Sequence, residues 1–368
     1  MKDKTVSHSA PPETAQHSES APVNALRGIL KSRAGYAGLV AGVGLFAAVI
    51  AWQGIGDVAS ALAQAGWGVV AIVLLHLPPL WADSMGWRSL FPAGQRPRWR
   101  MMIKARWIGE SINDLLPVLQ MGGNVVKAWL LVNCGIPVDR AGASVVVDVT
   151  LVVLTQILFT FLGIGISASL LGGRGSLVAV FTGTGIMAIL LAAFYVAQRK
   201  GFFSIIVRVT RKILGGAEST TFSEGAATID GEVLRLYRNR RALVAAGFWH
   251  ILSWFLGIGE VWLALRLLGH PVDFGTALLF ESLGQAIRTG AFAVPGALGI
   301  QEGGYILIGE ALGIQPHIAL ALSLARRVRE LLLGLPGLAV WQASTVQRIF
   351  MRGLNNEVVP PSGPEGSQ

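Results

Sequence analysis

The amino-acid sequence predicts an all-α polytopic membrane protein, with about six full transmembrane helices and two re-entrant broken-helix hairpins in an inverted repeat. Three observations carry that prediction. The 368 residues are 52% hydrophobic and 14% charged, with mean hydropathy +0.57, whereas the solvated surface of a soluble chain of this size needs roughly 25% charged residues. Apolar runs of membrane length recur, edged by Trp and by basic residues. Two further apolar stretches, each interrupted by Pro and Gly, resemble one another. The single Cys134 excludes an intramolecular disulfide, and the six histidines (His8, His17, His76, His250, His270, His317) show no HxxxH-type spacing, so no metal site is expected. The net charge of +9 sits beside the apolar segments, which is a mark of membrane topology rather than of nucleic-acid binding.

In chain order, residues 1–34 are polar and aperiodic up to about Val23, the composition of a disordered cytoplasmic tail. The transmembrane domain occupies 35–345, and 346–368 is a cytoplasmic C-terminal tail. Arg27, Lys31 and Arg33 precede a first span at about 36–53, whose late start fits an uncleaved anchor better than a signal peptide. The second span, about 67–90, is interrupted by Pro78-Pro79 and carries Trp67, Trp81 and Trp87 at interfacial positions. Spans at about 143–171 and 176–197 are joined by the tight 172–175 turn. Residues 199–241 read as a cytoplasmic interfacial segment, with a capping-box pattern at Thr221-Phe222-Ser223-Glu224, acids early and bases late. The last two spans cover about 242–268 and 318–341.

The stretches at about 107–132 and 275–314 are broken by Pro117 with Gly122-Gly123, and by Pro295, Gly296, Gly299, Gly303 and Gly304. Irregular backbone at membrane depth needs protein or a cavity around it. If the first stretch crossed the bilayer, the basic block 199–241 would lie opposite the equally basic 88–106 loop; as re-entrant hairpins, both stretches leave all basic blocks inside. The repeat halves, about 100–170 and 275–343, match at Glu110-Ser111-Ile112 with Glu281-Ser282-Leu283, at Pro117 with Pro295, and at Gly122-Gly123 with Gly303-Gly304. They match again at Gly135-Ile136 with Gly313-Ile314, and at Ala141 and Ala143 with Ala319 and Ala321. Three full spans separate the copies, an odd number, so their membrane orientations are opposite, as in many secondary transporters.

Intramembrane charge costs roughly 2.5–3.5 kcal/mol per group even on the lenient insertion scale, and here it concentrates in the repeats. The first half carries Glu110, Asn113, Asp114, Gln120, Lys127 and Asp148; the second carries Glu281, Gln285, Arg288, Gln301, Glu302 and Glu310, then Arg326, Arg327, Arg329 and Glu330. Lys127, Arg288, Gln301, Glu302, Glu110 and Glu281 are the candidate substrate-binding residues, and Asp148, Arg326, Arg327, Arg329 and Glu330 the candidate coupling or gating residues. Repeat alignment sets Asp148 opposite Arg326, an expected ion pair that serves either as structural glue or as a gate. Each candidate has a bland reading beside the functional one: Glu302 and Gln301 satisfying their own loop, Arg288 neutralising Glu281 or Glu302, Lys127 snorkelling. Helices restarting at Gly122-Gly123 and Gly303-Gly304 would aim free N–H groups inward, which suits phosphate. Glu260, inside the fifth span, must face protein. No G-x-S-x-G, HExxH, P-loop or dinucleotide fingerprint stands in a matching context, so no catalytic residue, metal or cofactor is expected.

The run Pro295-Gly296-Ala297-Leu298-Gly299-Ile300-Gln301-Glu302-Gly303-Gly304, continuing to Arg326-Arg327-Val328-Arg329-Glu330 and Pro336-Gly337, resembles the flippase-like membrane family related to the transmembrane region of lysylphosphatidylglycerol synthase. Gly122-Gly123-Asn124-Val125-Val126-Lys127 and Ala143 to Asp148 are similar to its first-half motifs, and the resemblance extends from about Arg33 to Trp341. It is closest to the branch associated with hopanoid biosynthesis. The resemblance implies a protein of the bacterial inner membrane, with both termini cytoplasmic, handling a hopanoid, another isoprenoid or a phospholipid, with lipid-biosynthetic enzymes as candidate partners and no nucleic acid. The soluble aminoacyl-transferase part of the synthases has no counterpart after the last span, so the expectation is a lipid translocase or lipid-binding transporter and not an enzyme. The alternatives are a membrane-embedded headgroup transferase with Glu302 or Glu110 as base, and a non-catalytic scaffold for lipid biosynthesis.

Overall fold

The computed structural model describes residues 66–116, 121–171, 220–291 and 297–357, with isolated residues 63, 185, 189, 192, 195, 196 and 294; side chains are not described at 69, 164, 166–171, 220–226 or 345–357. The expected first span, the 172–175 turn, most of the fourth span, the 199–219 stretch, the N-terminal tail, residues 358–368, and Pro117, Gln120, Pro295 and Gly296 lie outside the described residues.

Within them the protein is all-helical: α1 (Gly68–Ser89), α2 (Trp99–Leu115), α3 (Gly122–Val132), α4 (Val138–Leu171), α5 (Thr220–Arg238), α6 (Arg240–Leu267), α7 (Phe274–Gly290), α8 (Ile300–Ala311) and α9 (Pro316–Glu357), with one short 3-10 turn at Ala93–Gln95. Among the described residues, α4 (over Val138–Gly163) and α6 are long and apolar enough to cross a membrane. Pro78-Pro79 does not interrupt the second span as expected: α1 runs through both prolines. Proline removes two N–H donors there, and Ser253 Oγ on α6 donates to the Pro79 carbonyl at 3.1 Å. Of the basic stretch 199–241, the described part, 220–241, is divided between two helices. Asn239 ends α5 and caps α6, its Oδ1 accepting from Ala242 N–H at 3.2 Å. At the other end, α9 continues as helix into the segment read as a C-terminal tail.

α1 and α6 pack antiparallel along their length: Gly68 meets Leu267, His76 meets Glu260, Asp83 meets His250 and Gly86 meets Ala246. Around this pair stand two helix triplets, α2–α3–α4 and α7–α8–α9. In each, a 17-residue helix is followed by a break, a short helix, a tight turn and a long helix. The tight turns have one chemistry. Gly135 (φ 86°) and Gly313 (φ 73°) adopt left-handed backbone, and Ile136 and Ile314 N–H donate back to Leu131 and Gly309 carbonyls at 3.2 and 2.8 Å, the Schellman closure that favours glycine. The triplets run in opposite directions. α2 is antiparallel to α9, with Lys104 beside Ser344 and Leu115 beside Gly334, and α4 is antiparallel to α7, with Gln156 beside Thr289 and Thr160 beside Ser282.

Each triplet has its own apolar core, one around Trp87, Met102, Ile108 and Leu131, the other around Ile72, Ile258, Leu265 and Phe280. Large apolar side chains also point outward, among them Leu158, Val244, Phe248, Leu307 and Leu335, as a lipid-facing surface requires and a soluble one avoids. Within the first triplet, α2 and α3 touch backbone to backbone: a Cβ on Gly123 would stand 1.9 Å from the Gly109 carbonyl oxygen. Gly123→Val therefore forces the α2–α3 hairpin apart. It should lose about 1–3 kcal/mol or more to overpacking and lower the unfolding midpoint of the detergent-purified protein, whereas Gly247→Ala, whose Cβ meets nothing, should leave it unchanged or raise it slightly.

Candidate functional site

The charged residues of the two triplets form two buried clusters on either side of the α1–α6 pair. In the first, Arg106 on α2 donates through Nη2 to both oxygens of Asp148 on α4, at 3.0 and 2.9 Å. Lys127 Nζ on α3 lies 3.4 Å from the same carboxylate and 5.3 Å from the centre of the Trp87 ring. His250 on α6 faces Asp148 through Nε2 at 3.2 Å and Asp83 on α1 through Nδ1 at 2.6 Å. Glu110 is held by Arg106 at 3.5 Å, one turn along α2.

In the second cluster, Arg326 on α9 pairs with Glu281 on α7, lies 3.3 Å from Glu260 on α6, and donates to the Tyr305 hydroxyl on α8 at 2.5 Å. Arg329 donates to both oxygens of Glu260 at 2.8 Å, and His76 on α1 completes the group, 3.0 Å from Glu260 and 2.6 Å from Arg329. Gln285 donates to Glu281 at 2.9 Å.

The clusters occupy the same helix positions with the charges exchanged. Arg106 and Glu281 are each the eighth residue of their 17-residue helix. Lys127 and Tyr305 are each the sixth residue of the short helix, and Asp148 and Arg326 are each the eleventh residue of the long one. One cluster is an anion ringed by cations; the other is a cation ringed by anions. Even the α1–α6 contributions trade places, Asp83 with His250 in the first and His76 with Glu260 in the second. The expected Asp148–Arg326 pair does not form. The two residues are equivalent, and each is neutralised inside its own triplet because the helix beside it supplies the opposite charge about 40 residues earlier.

A third network joins the triplets. Arg288 on α7 reaches Asp114 on α2 at 2.6 Å and pairs with Glu330, which takes Arg327 at 3.0 Å; Arg327 in turn donates to Glu302 at 2.9 Å. Arg288 thus neutralises Asp114 and Glu330 rather than Glu281 or Glu302. Glu302 is fully buried. One of its oxygens accepts from Gly299 N–H at 2.6 Å, and the other takes Arg327 and Ser323 Oγ (3.3 Å), the N3 half of a capping box. Consequently α8 starts at Ile300, three residues before the expected restart at Gly303-Gly304. The α3 start at Gly122 does match expectation, yet its N–H groups are not all free, since Asn113 Oδ1 accepts from Gly123 N–H at 2.8 Å. Gln301 is buried with its amide nitrogen 3.5 Å from Ser323 Oγ. Lys127 is buried against Asp148 rather than snorkelling.

Between α2 and α9 a small cavity of about 20 Å³ is lined by His76, Glu110, Asp114, Arg329 and Glu330, room for about one water. The α2–α9 seam is closed by Trp107 Nε1 donating to the Leu333 carbonyl at 2.9 Å and by Gly334 and Gly337, which leave no room for a Cβ against Leu115 and Ser111. Asp83, Arg106, His76 and His250 are not among the residues the sequence singles out: Arg106 falls in a basic loop, and the histidines have no metal-ligand spacing. The signal available for His250 and Glu260 was polarity inside an apolar span.

The family model of the lysylphosphatidylglycerol synthase TM region matches residues 39–337. The chain belongs to this family. No curated protein and no solved structure matches. It is therefore a helical membrane protein of a lipid-related family, and its buried polar clusters lie within the matched region.

Removing one member of a buried pair strands the other and costs about 3–5 kcal/mol. Asp148→Ala, which strands Lys127 and leaves Arg106 with Glu110 alone, should lower the yield of monodisperse protein and its unfolding midpoint sharply, while the Arg106→Met/Asp148→Met double variant should be markedly milder than the single. An Asp148→Arg/Arg326→Asp swap should do no better than the single reversals, because those residues are not partners.

Proposed function

We propose that this protein is a lipid translocase or lipid-binding transporter of the bacterial inner membrane and not an enzyme, acting on a hopanoid, another isoprenoid or a phospholipid with a polar headgroup. In this reading six helices cross the bilayer fully and both termini are cytoplasmic. The α2–α3 hairpin enters from the cytoplasmic side and the α7–α8 hairpin from the opposite side.

The observation that carries the reading is the Asp114–Arg288–Glu330–Arg327–Glu302 network at the α2–α9 seam. It links two oppositely directed triplets where their helices are broken, the position at which transporters with inverted repeats bind substrate. Parting α2 from α9 separates Asp114 from Arg288 and turns guanidinium groups toward the opening. Arg288 and Arg327 then offer the forked donors that suit a phosphate or similarly electron-rich headgroup. Glu110 lines the small cavity and contacts the same headgroup. Lys127 and Asp148, together with Glu281, Arg326 and Arg329, hold the flanking clusters on which the gate rests, while Glu330, through Arg288 and Asp114, couples the two triplets. Pro117, Pro295 and the neighbouring glycines act as hinges. The occupied oxygens of Glu302 favour binding over acid–base catalysis, since a general base needs a free lone pair within reach of substrate.

Lipid extracted from purified wild-type protein and from the Arg288→Ala/Glu302→Ala variant, compared by mass spectrometry, tests this. A specific polar lipid should accompany the wild type and fall at least tenfold in the variant, with both proteins monodisperse. Identical bulk phospholipid in both would contradict the site and leave the scaffold ahead; turnover of labelled lipid by the purified protein alone would establish the transferase instead.

A further inference from the structure

The start of α6 carries charge that its protein surroundings do not answer. Arg240 and Arg241 are the first two residues of the helix, and its first turn contains no acid. Both are exposed, and among the described residues neither has a hydrogen-bonding or ionic partner. Nearby basic residues differ: Arg235 is held by Glu232 at 2.8 Å, and Arg88 donates to the Pro97 carbonyl at 2.8 Å. Arg235 and Arg238 also stand in the last turn of α5, where the helix dipole favours a cation, whereas the positive end of α6 disfavours Arg240 and Arg241 and favours an anion beside them. The same two arginines head a shallow groove of about 530 Å³, lined further by Val244, Ala245, Phe248 and Trp249, within the range of roughly 300–1,000 Å³ common to small-molecule sites. Steps of four residues put these three neighbouring pairs on one helix face, so the groove is cationic at the helix start and apolar over the next two turns. Val244 and Phe248 are 73% and 60% exposed, and Trp249 stands edge-to-face with Trp81 of α1 at 5.1 Å, aromatic rings of the kind that favour a bilayer interface. At the far end of α6 the arrangement is closed, with the Arg266 guanidinium over the Trp262 ring at 5.4 Å.

We propose that this groove binds an anionic phospholipid of the cytoplasmic leaflet, with its phosphate on Arg240 and Arg241 and an acyl chain along Val244 and Phe248. The order along the groove, charge first and then apolar surface, is the order of the groups in a phospholipid. A free phosphate gains nothing from the apolar turns, and a zwitterionic lipid leaves the net charge of the two guanidinium groups unanswered. Two neighbouring guanidiniums offer forked donors to phosphate oxygens, and basic residues at the cytoplasmic edge of a membrane span draw anionic lipid to it. The site lies on the outer face of α6, apart from the α2–α9 seam, and its occupant is a resident lipid rather than the transported one. Only the choice of leaflet rests on the orientation proposed above; the site itself does not depend on translocation. A lipid bound there offsets the adverse charge at the start of α6 and stabilises the folded protein by mass action, at the helix that pairs with α1 in the middle of the fold.

The test titrates the full chain in neutral detergent with phosphatidylglycerol or phosphatidylcholine of the same acyl chains, counting bound lipid by native mass spectrometry and following the unfolding midpoint. Phosphatidylglycerol should bind wild-type protein at least tenfold more tightly than phosphatidylcholine and raise its midpoint. Arg240→Gln/Arg241→Gln should bind both lipids equally and lose the midpoint shift, and Phe248→Ala should weaken both lipids at least threefold while keeping the preference. Arg98→Gln/Arg100→Gln, which removes two exposed arginines from the start of α2, and Arg288→Ala/Glu302→Ala at the seam should both bind as wild type does. Equal binding of the two lipids by wild-type protein overturns the proposal, as does a preference that survives in Arg240→Gln/Arg241→Gln. A preference lost only in Arg288→Ala/Glu302→Ala moves the lipid to the seam, which overturns this site and leaves the translocase reading standing. Displacement of phosphatidylglycerol by millimolar inorganic phosphate assigns the arginines to a free anion, and a wild-type dimer that Phe248→Ala dissociates, without lipid preference, assigns the face to a second copy; either overturns the proposal.

Discussion

An ionised side chain in a low-dielectric interior must find an opposite charge, and that requirement organises this protein. A lone charge at mid-bilayer costs roughly 2.5–3.5 kcal/mol on the most lenient scale, and a pair broken after assembly costs more than the pair gains on forming. Buried Arg106, Lys127, Asp148, Glu260, Glu281, Arg326, Arg329 and Glu330 each have a partner on another helix. Apolar side chains gain little from choosing one helical neighbour over another in lipid, whereas a carboxylate is satisfied only beside the one helix that brings its guanidinium. The ion pairs therefore fix which helices adjoin and at what register, and the small residues of the seams, such as Gly109 with Gly123 and Gly337 with Ser111, let them approach closely enough to do so.

Exchange of the charges between the triplets adds specificity. Were both clusters centred on an anion, the eighth residue of α2 would serve the eleventh residue of α9 as well as that of α4. With Arg106 and Asp148 in one triplet and Glu281 and Arg326 in the other, crossed pairing sets like charge against like, an arrangement that disfavours the wrong assembly. The network through Asp114, Arg288 and Glu330 is the place where the triplets do share charge, and it lies at the seam beside the small cavity. The clusters hold each triplet together, and the shared network ties one triplet to the other.

Much of this was legible in the sequence. Hydropathy and interfacial Trp placed α1, α4 and α6 to within a few residues, and the pairs Gly135 with Gly313 and Ala141 with Ala319 fall at equivalent places in the two triplets, because a left-handed turn and a buried small residue each admit few side chains. The pairing was not legible. Matching like letters set Glu110 against Glu281, whereas the helix starts set Arg106 against Glu281, and equivalence with reversed sign leaves no trace in an identity-based comparison. His250 and Asp83 are 167 residues apart, so no local spacing joins them. The prolines of α1 read as a break, yet the helix runs through both, packed along α6, from which Ser253 Oγ donates to the Pro79 carbonyl.

The central claim is that the two triplets are related by inversion across the membrane. The exposed native Cys134 sits in the α3–α4 turn, and Leu312 holds the corresponding place in the α8–α9 turn, one residue before its left-handed glycine as Cys134 is before Gly135. Labelling with a membrane-impermeant maleimide in spheroplasts and in inside-out vesicles compares the two turns directly. The account predicts that Cys134 reacts from the cytoplasmic side alone and that Cys134→Ser/Leu312→Cys protein reacts from the opposite side alone; reaction of both from the same side would contradict it.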